Sequence, residues 1–209
     1  DRPVSRGLGD VYKRQIKTPS LINKKGVFPK TPKQFVLNAE THDLKKELQA
    51  QIDLSRSMGL NPTHIDSHEG ALFFNEGLFK VYLEVGEENK LPVFVPKTVA
   101  IHFDKNFPKP KNLVVIENFF MAESGLRHEK WESFYLNVLD NVMPGLNQLV
   151  VHLGYDDKEM RAICVDHPNF GSKWRNLDYD IVSSDLFREA LKRNKIKLVT
   201  WGEIQKAVY

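Results

Sequence analysis

The sequence predicts an α/β fold built on a mainly parallel sheet, either open or closed into a barrel. Short apolar runs alternate with segments whose apolar residues recur at helical spacing, which is typical of repeated strand–helix units. A chain of 209 residues can bury one sizeable core, and we find no internal repeat and no domain linker. The pattern alone does not decide between the open sheet and the barrel.

The first half of the chain is expected to hold two helices and several short strands. Residues 16–40 contain three prolines and two adjacent lysines, which predicts a loop. From Thr41, a good N-cap residue, to Gly59, a good helix terminator, apolar residues recur every four positions and predict a helix. The elements expected next, in chain order, are a strand over 60–66, a helix over 76–89, and strands over 91–95 and 98–103.

The second half continues this alternation. A loop rich in proline and lysine is expected over 107–112, followed by an apolar run over 113–116 and an apolar patch at Asn118–Met121. The elements expected next, in chain order, are a helix over 128–142, a strand over 148–153, a turn or short helix over 156–160, a loop over 166–180, a helix capped by Ser183 or Ser184 and ending near 192, a strand over 197–199 and a helix over 201–208.

Composition and motifs exclude several classes of function. The formal net charge is +3 and the basic residues are spread along the chain apart from 105–111, so we expect no nucleic-acid partner. The single cysteine excludes an internal disulfide framework and suits a reducing, cytoplasmic location. We expect no membrane association, because no apolar run approaches the roughly 20 residues that span a bilayer and no secretory signal is visible. Glycine-rich nucleotide motifs and the Gly-x-Ser-x-Gly nucleophile motif are absent.

The first 15 residues differ in character from the rest of the chain. They show no helical or strand period, do not begin with Met, and resemble the translation of adapter DNA at the edge of an assembled sequence. We therefore expect residues 1–15 to be a non-native or disordered lead, and residues 16–209 to form one α/β domain that is incomplete at its N-terminus. A natural, basic and flexible arm is the alternative.

The run from Asn61 to Gly70 is the leading candidate for a site of chemistry. It places His64, Asp66 and His68 two residues apart, so an extended backbone would bring the three side chains to one face. Imidazole and carboxylate are ligands for Zn²⁺ and for other divalent ions that activate water. The alternative is a polar strand end whose histidines are merely hydrogen-bonded or solvated.

A second candidate lies where the strand expected over 148–153 ends. Reactive groups of α/β barrels come from the C-terminal ends of strands and the loops after them. His152 occupies such a position and could act as a general acid, because its unperturbed pKa of about 6.5 lets it give a proton near neutrality. The alternative is a core histidine hydrogen-bonded to the backbone. Asp156 and Asp157 favour the cap and first turn of a helix over a pair of metal ligands.

A third candidate is the aromatic and basic stretch over 165–175. Phe170, Trp174 and Arg175 on a loop beside a polar mouth would suit sugar stacking and hydroxyl recognition. The alternative is that Phe170 and Trp174, which are four residues apart, only pin the loop to the core.

Together these runs resemble a known family. Residues 63–68 (Thr-His-Ile-Asp-Ser-His), with Ser-Met-Gly-Leu-Asn-Pro before them and Gly-Ala-Leu-Phe after them, are similar to the YdjC-like carbohydrate deacetylases. The runs over 19–28, 151–154 and 198–201 are similar to that family as well. The resemblance extends from about residue 17 to the end of the chain.

The resemblance implies a fold, a reaction and a set of site residues. The fold is a TIM-barrel-like (β/α) barrel of the polysaccharide-deacetylase type, and the reaction is metal-dependent removal of N-acetyl groups from amino sugars such as chitooligosaccharides. The divalent metal, Mg²⁺ or Zn²⁺, would be held by an aspartate of an Asp-Asp pair, a histidine of a Gly-x-His segment and the second histidine of the His-x-Asp-Ser-His run. His68 matches the last of these ligands. His152 matches a late strand-end histidine and would protonate the leaving amine, while His64 and Asp66 would orient His68 or bind substrate.

This chain also departs from the family pattern. The first two ligands do not map onto it, so we expect the first barrel strands, those ligands and the general base to be missing. One imidazole cannot hold a catalytic metal against water, because three protein ligands are the usual minimum. We therefore expect little activity from the chain as given.

The sequence leaves further alternatives open. One is a non-catalytic carbohydrate-binding protein on the same scaffold, using Phe170, Trp174 and Arg175, and another is a metal-dependent hydrolase of a different substrate. The expected partner is an N-acetylated amino-sugar oligosaccharide. A monomer and a homodimer both stay open.

Overall fold

The computed structural model describes residues 18–103, 110, 113–165 and 169–209. These residues form a mixed α/β structure with two compact units, one comprising the described residues up to Val115 together with 199–209, and the other comprising those over 116–198. The α/β class predicted from the sequence is therefore confirmed. The lead expected over 1–15 and most of the loop expected over 107–112 lie outside the described residues.

The helices and strands of the two units are numbered along the chain. They are α1 (Pro32–Asn38), α2 (Thr41–Ser57), α3 (Glu76–Glu88), β1 (Val95–Pro96), α4 (Lys97–His102), β2 (Val115–Ile116), β3 (Asn118–Met121), α5 (Trp131–Asn141), β4 (Asn147–Val150), α6 (Lys158–Ile163), α7 (Ser172–Val182), α8 (Asp185–Arg193) and α9 (Trp201–Val208). Short 3₁₀ turns occur at Pro19–Leu21, His68–Phe74 and His128–Lys130.

Helices α2 and α3 form the framework of the first unit. Both were predicted from the sequence, although α2 is preceded by Glu40 as its N-cap and Thr41 is already helical. Gly59 has a φ of +82°, the left-handed conformation expected just beyond a helix end. The buried core between the helices includes Leu44, Ile52, Leu78, Phe79, Tyr82 and Val85.

Two predictions for the first unit are wrong. The loop expected over 16–40 contains α1, which begins with Pro32 after the N-cap Thr31, whose Oγ1 accepts a hydrogen bond from Gln34 N at 3.3 Å. A proline in the first turn does not obstruct a helix, because its missing N–H would have had no partner there. The strand expected over 98–103 is helical in α4, which begins directly after Pro96, its N-cap residue.

The segment that carries the His-x-Asp-x-His run is extended and pairs at one point. Ile65 forms an isolated parallel bridge with Val93, through hydrogen bonds from Ile65 N to Pro92 O (3.0 Å) and from Phe94 N to Ile65 O (3.1 Å). The strand predicted over 60–66 is therefore present only as this single bridge. Beneath it α3 comes very close, because a Cβ on Gly86 would lie 2.4 Å from Val93 Cγ1. The absence of a side chain at Gly86 therefore permits this packing.

The second unit contains a parallel strand pair. Strand β3 pairs with β4 in a register that runs from Asn118 opposite Asn147 to Met121 opposite Val150. The strand expected over 148–153 is confirmed at its first half, and the apolar patch at Asn118–Met121 is a strand. The core of this unit is formed by Ala122, Trp131, Tyr135, Leu139, Trp174, Ile181, Phe187 and Ala190.

The helices of the second unit were predicted in part. The helix expected over 128–142 is confirmed as a 3₁₀ turn followed by α5, and Ser184 caps α8 by accepting a hydrogen bond from Phe187 N at 3.1 Å. The loop expected over 166–180 is wrong, because most of it is α7. Residues 197–199 are not assigned to a strand.

The sheet elements of the described residues do not establish a closed barrel. The strand order gives two two-stranded sheets, β1 with β2 and β3 with β4, together with the bridge at Ile65. The barrel therefore stays a prediction. Among the described residues no helix has both the length and the apolar character required to cross a bilayer.

Candidate functional site

The His-x-Asp-x-His run in the first unit shows the alternation predicted for an extended backbone only in its second half. Asp66 and His68 are exposed, whereas Ser67 between them is only 7% exposed and its Oγ accepts a hydrogen bond from Leu72 N at 3.0 Å. His64 is half-buried. The structure therefore presents Asp66 and His68 to solvent and packs His64 against the unit.

His64 is held by an aromatic stack. Its imidazole lies parallel to the indole of Trp201 in α9, with ring centroids 4.5 Å apart and an interplanar angle of 5°. Thr63 Oγ1 lies 3.3 Å from His64 Nδ1. Burial lowers the pKa of His64 below 6.5, and the nearby charge of Asp66 opposes this shift. His64 is therefore favoured as a neutral, stacked ring.

Tyr82 in α3 anchors the same segment through its backbone. Its hydroxyl donates toward the carbonyl oxygens of Ile65 at 2.8 Å and Phe94 at 3.1 Å, and the side chain is completely buried. Burial, reinforced by the charge of Asp66, raises the pKa of Tyr82 well above its usual value, so the phenol stays protonated. This neutral donor holds the backbone between His64 and Asp66 against the helix.

His68 begins the 3₁₀ turn at His68–Phe74, and the two residues after it have left-handed backbone. The φ angles are 53° at Glu69 and 65° at Gly70, and Gly70 N donates a hydrogen bond to Ser67 O at 2.8 Å. A left-handed conformation at a residue other than glycine costs about 1 kcal/mol or more and persists where the surrounding structure enforces it. The tight turn therefore fixes the direction in which the chain leaves the exposed His68.

The donor groups of the described residues do not complete a metal site. Within residues 18–103, 110, 113–165 and 169–209, no group of three or more His, Cys, Asp or Glu side chains is placed to hold a metal ion. A divalent metal that activates water needs about three protein ligands. His68 is sterically accessible for coordination, and its role as a ligand stays a prediction.

In the second unit, His152 lies two residues beyond β4. Its backbone N–H donates a hydrogen bond to Asp178 Oδ2 at 2.8 Å, and its imidazole lies against the ring of Phe170, with centroids 4.8 Å apart. The side chain is half-buried. The strand end is thus fixed through its backbone, and the imidazole packs against Phe170 with an interplanar angle of 53°.

Asp178 in α7 contacts the candidate site through His152, and the sequence did not indicate it. It is 1% exposed, and besides His152 N its carboxylate accepts hydrogen bonds from Trp131 Nε1 at 2.8 Å and from the Tyr135 hydroxyl. Burial, and then the hydrogen bond and charge of Asp178, raise the pKa of Tyr135, so this donor stays protonated. The sequence signal was weak, because Asp178 lies four residues after Trp174 in a segment expected to be a loop.

The aromatic and basic stretch is packed rather than open. Trp174 is 7% exposed and contacts Phe170 and Trp131, with ring centroids 4.5 Å and 4.8 Å away. Arg175 Nε donates a hydrogen bond to Phe170 O at 2.8 Å. This is the placement expected if Phe170 and Trp174 pin the segment to the core, and their contact with a sugar stays a prediction.

Asp156 and Asp157 have structural roles. Asp157 Oδ1 accepts a hydrogen bond from Met160 N at 2.8 Å and caps α6, as the sequence predicted. Asp156 pairs with Arg161, whose Nε lies 2.7 Å from Asp156 Oδ1. Hydrogen bonding to Arg161 lowers the pKa of Asp156 to about 2.

Comparison with known proteins decides the family. A family model described as "YdjC-like protein" matches residues 4–193. The chain belongs to the YdjC-like family. The resemblance noted in the His-x-Asp-Ser-His run is therefore confirmed over most of the sequence.

Curated relatives of this YdjC-like chain carry the name "Carbohydrate deacetylase". One from Thermus thermophilus is 28% identical over 204 residues, covering 91% of this chain and 70% of the relative. Another from Geobacillus stearothermophilus is 29% identical over 142 residues, covering 66% of this chain and 52% of the relative.

A solved structure is similar to this YdjC-like chain in fold. It is described as a putative cellobiose-phosphate cleavage protein from Enterococcus faecalis V583, and it matches with a TM-score of 0.70 and 18% identity. The match covers 89% of this chain and 69% of that one. At this level of identity the likeness concerns the fold alone.

Proposed function

We propose that this chain is a carbohydrate deacetylase, a hydrolase that removes N-acetyl groups from amino sugars such as chitooligosaccharides. The observation that carries the proposal is the match over 91% of the chain to a relative named for that activity, within a family whose model spans residues 4–193. The substrate is an N-acetylated amino-sugar oligosaccharide.

His152 is proposed as the general acid. Hydrolysis of an amide expels an amine, and this leaving group departs easily only once its nitrogen has been protonated. An imidazole suits this task near neutral pH. Support comes from its half-buried position beyond β4 and from the backbone hydrogen bond to Asp178 that fixes the strand end.

A divalent cation, Mg²⁺ or Zn²⁺, is proposed as the cofactor, with His68 as one ligand. When bound, such an ion would polarise the amide carbonyl and activate water. His68 is supported by its exposed position at a tight turn. His64, stacked on Trp201, would keep the backbone before His68 in place, while the exposed Asp66 would orient His68 or bind a sugar hydroxyl.

Weak activity is part of the proposal. Of the three ligands that the family resemblance implies, one maps onto this sequence, and the described residues do not supply a cluster of three. A single imidazole binds a divalent ion weakly, so only a small fraction of the protein would carry metal at ordinary concentrations.

A non-catalytic sugar-binding function is less well supported. It needs Trp174 to offer its face to a pyranose ring, as aromatic residues do in stacking sites. Trp174 is 7% exposed and is packed between Phe170 and Trp131. The burial of Trp174 therefore favours the hydrolase over the sugar-binding protein as the proposed function.

The test is acetate release from diacetylchitobiose at high protein concentration, with Mg²⁺ or Zn²⁺ added. The Thermus thermophilus relative serves as positive control, and His152→Ala is compared with His42→Ala, a histidine outside the site. We expect slow release from the chain, about 100-fold or more below the relative, which falls further in His152→Ala only. Release at the uncatalysed rate would contradict the proposed reaction, and release as fast as the relative's would contradict the proposed weakness.

A further inference from the structure

Among its described residues, the second unit buries the carboxylate of Asp178, which the proposed reaction does not yet use. Burying an ionised carboxylate is costly unless hydrogen bonds replace its hydration. Here three donors do so, two from side chains of α5 and one from the backbone of His152. Both donors of α5 bond the same oxygen, Oδ1, so the second oxygen is not needed to hold that helix.

The two oxygens of Asp178 are used differently. Oδ1 accepts from Trp131 Nε1 and the Tyr135 hydroxyl, so it is tied to helix α5. Oδ2 accepts from His152 N at 2.8 Å, so it is tied to the end of the strand. The carboxylate thus connects three elements, and the residue at the strand end is the proposed general acid.

We propose that Asp178 is the positioning residue of His152: its carboxylate fixes the backbone at the strand end so that the imidazole stays against Phe170 and faces the substrate in one orientation. This inference rests on the proposed deacetylase function for its catalytic meaning. Its structural part stands on two contacts: Asp178 bonds the backbone N–H of His152, and Phe170 lies against the ring. Phe170 forms the second contact, since its ring lies 4.8 Å from the imidazole.

The chemistry requires a carboxylate, not merely a polar side chain of the same shape. An asparagine offers one acceptor oxygen and one donor NH₂ group. If its oxygen faces Trp131 and Tyr135, its NH₂ group meets the N–H of His152, and two donors oppose each other. If it turns over, its NH₂ group meets the indole N–H of Trp131. Asp178→Asn therefore cannot satisfy all three donors.

The test compares three single variants by NMR. Asp178→Asn removes the hydrogen bond to His152 when its amide oxygen faces the two donors of α5, and this orientation is favoured because it satisfies two donors rather than one. Tyr135→Phe removes a buried hydrogen bond to the same carboxylate but leaves His152 untouched, and so reports a merely structural role. Asp180→Asn makes the same chemical change at an exposed position of α7 and is the matched control. The ring and amide signals of His152 are assigned by their loss in His152→Gln.

Two signals report the position of His152. In Asp178→Asn we expect the backbone amide of His152 to exchange at least about tenfold faster. We also expect the ring protons of His152 to lose the ring-current shift caused by Phe170. In Tyr135→Phe and Asp180→Asn both signals should stay within about twofold of the wild type. Equal changes in Asp178→Asn and Tyr135→Phe, or none in Asp178→Asn, would overturn the inference. If Asp178→Asn does not fold, the wild type decides: an amide of His152 that exchanges as fast as in an unfolded chain would overturn it.

Acetate release adds the catalytic test. In Asp178→Asn we expect kcat to fall about 10-fold to 100-fold while KM changes less than about threefold, because positioning acts on the reaction rather than on sugar binding. A rise in KM with kcat unchanged would overturn the catalytic part. If wild-type protein releases no acetate, the proposed function fails, and the NMR signals still decide whether Asp178 positions His152.

Discussion

Gly86 offers a sharp test of the packing beneath the His-x-Asp-x-His segment. Replacing a glycine inside a helix by alanine ordinarily stabilises the helix by about 1 kcal/mol. Gly86 lies in α3 with ordinary helical backbone, so local propensity predicts that Gly86→Ala stabilises the protein. The structure predicts the opposite sign.

The magnitude follows from the contacts of the added methyl group. Its carbon would lie 2.4 Å from Val93 Cγ1 and 2.9 Å from the carbonyl oxygen of Leu91. The first distance is more than 1 Å below van der Waals contact, about 3.5–4.0 Å for two carbons, and the second atom is backbone and cannot rotate away. Overpacking costs about 1 to 3 kcal/mol, and an overlap of more than 1 Å against a backbone neighbour places Gly86→Ala at about 2 to 3 kcal/mol. After subtracting the gain of about 1 kcal/mol in helix propensity, we expect a net loss of about 1 to 2 kcal/mol.

Urea denaturation followed by circular dichroism measures this loss, and the midpoint of thermal unfolding should fall by about 2 to 8 °C. Gly202→Ala in α9 is the matched control, because its methyl carbon would meet Thr63 Cγ2 at an ordinary 3.5 Å. That variant should be neutral or slightly stabilising. A Gly86→Ala protein as stable as the wild type would refute the close approach of α3 to Val93, the residue that pairs with Ile65.

Other predictions concern the groups that hold the two candidate segments. Tyr82→Phe should lower the free energy of unfolding by about 1 to 2 kcal/mol, because the carbonyls of Ile65 and Phe94 lose a buried donor. Tyr155→Phe, at an exposed position, should change this free energy by less than about 0.5 kcal/mol. Equal effects of the two variants in urea titrations would show that the Tyr82 hydroxyl does not anchor the segment. Because the pKa of His64 is lowered in the fold, the unfolded chain takes up its proton first, so wild-type stability should fall as the pH drops below about 6.5. His64→Phe keeps a ring to stack on Trp201 but cannot titrate, so its unfolding free energy should fall less between about pH 7 and 5, and an unchanged slope would show that His64 is not the group responsible.

The elements that the sequence predicted best are those with both a cap and a clear apolar period. Helix α9 is an example, since Thr200 Oγ1 accepts from Glu203 N and the Glu203 carboxylate accepts from Thr200 N. Helix α1 is not predicted because prolines usually interrupt helices, although a proline directly after a threonine is also typical of a helix start. Helix α7 was missed because its buried face includes Asp178, and a buried carboxylate interrupts the apolar pattern that marks a helix.

The residues of the candidate site also fall into those that local sequence spacing can identify and those that it cannot. Local spacing identified His64, Asp66 and His68 as a candidate site. The structure pairs this run only at Ile65 and begins a 3₁₀ turn at His68, and it leaves Asp66 and His68 exposed while His64 is half-buried. Spacing could not find Trp201, which stacks on His64, or Asp178, which bonds His152, because both contacts join residues distant in the chain. Such pairs depend on tertiary packing, which a local pattern does not encode.

The metal dependence of acetate release tests the central claim most directly. Release from diacetylchitobiose should be measured while Zn²⁺ or Mg²⁺ is raised from a chelated baseline, for the wild type, His68→Ala and His42→Ala. The account predicts no release with chelator, a slow rise that saturates only at high metal concentration in the wild type and in His42→Ala, and no metal-dependent rise in His68→Ala. Release that persists in chelator, or a response of His68→Ala equal to the wild type's, would contradict a metal-dependent deacetylase with His68 as a ligand.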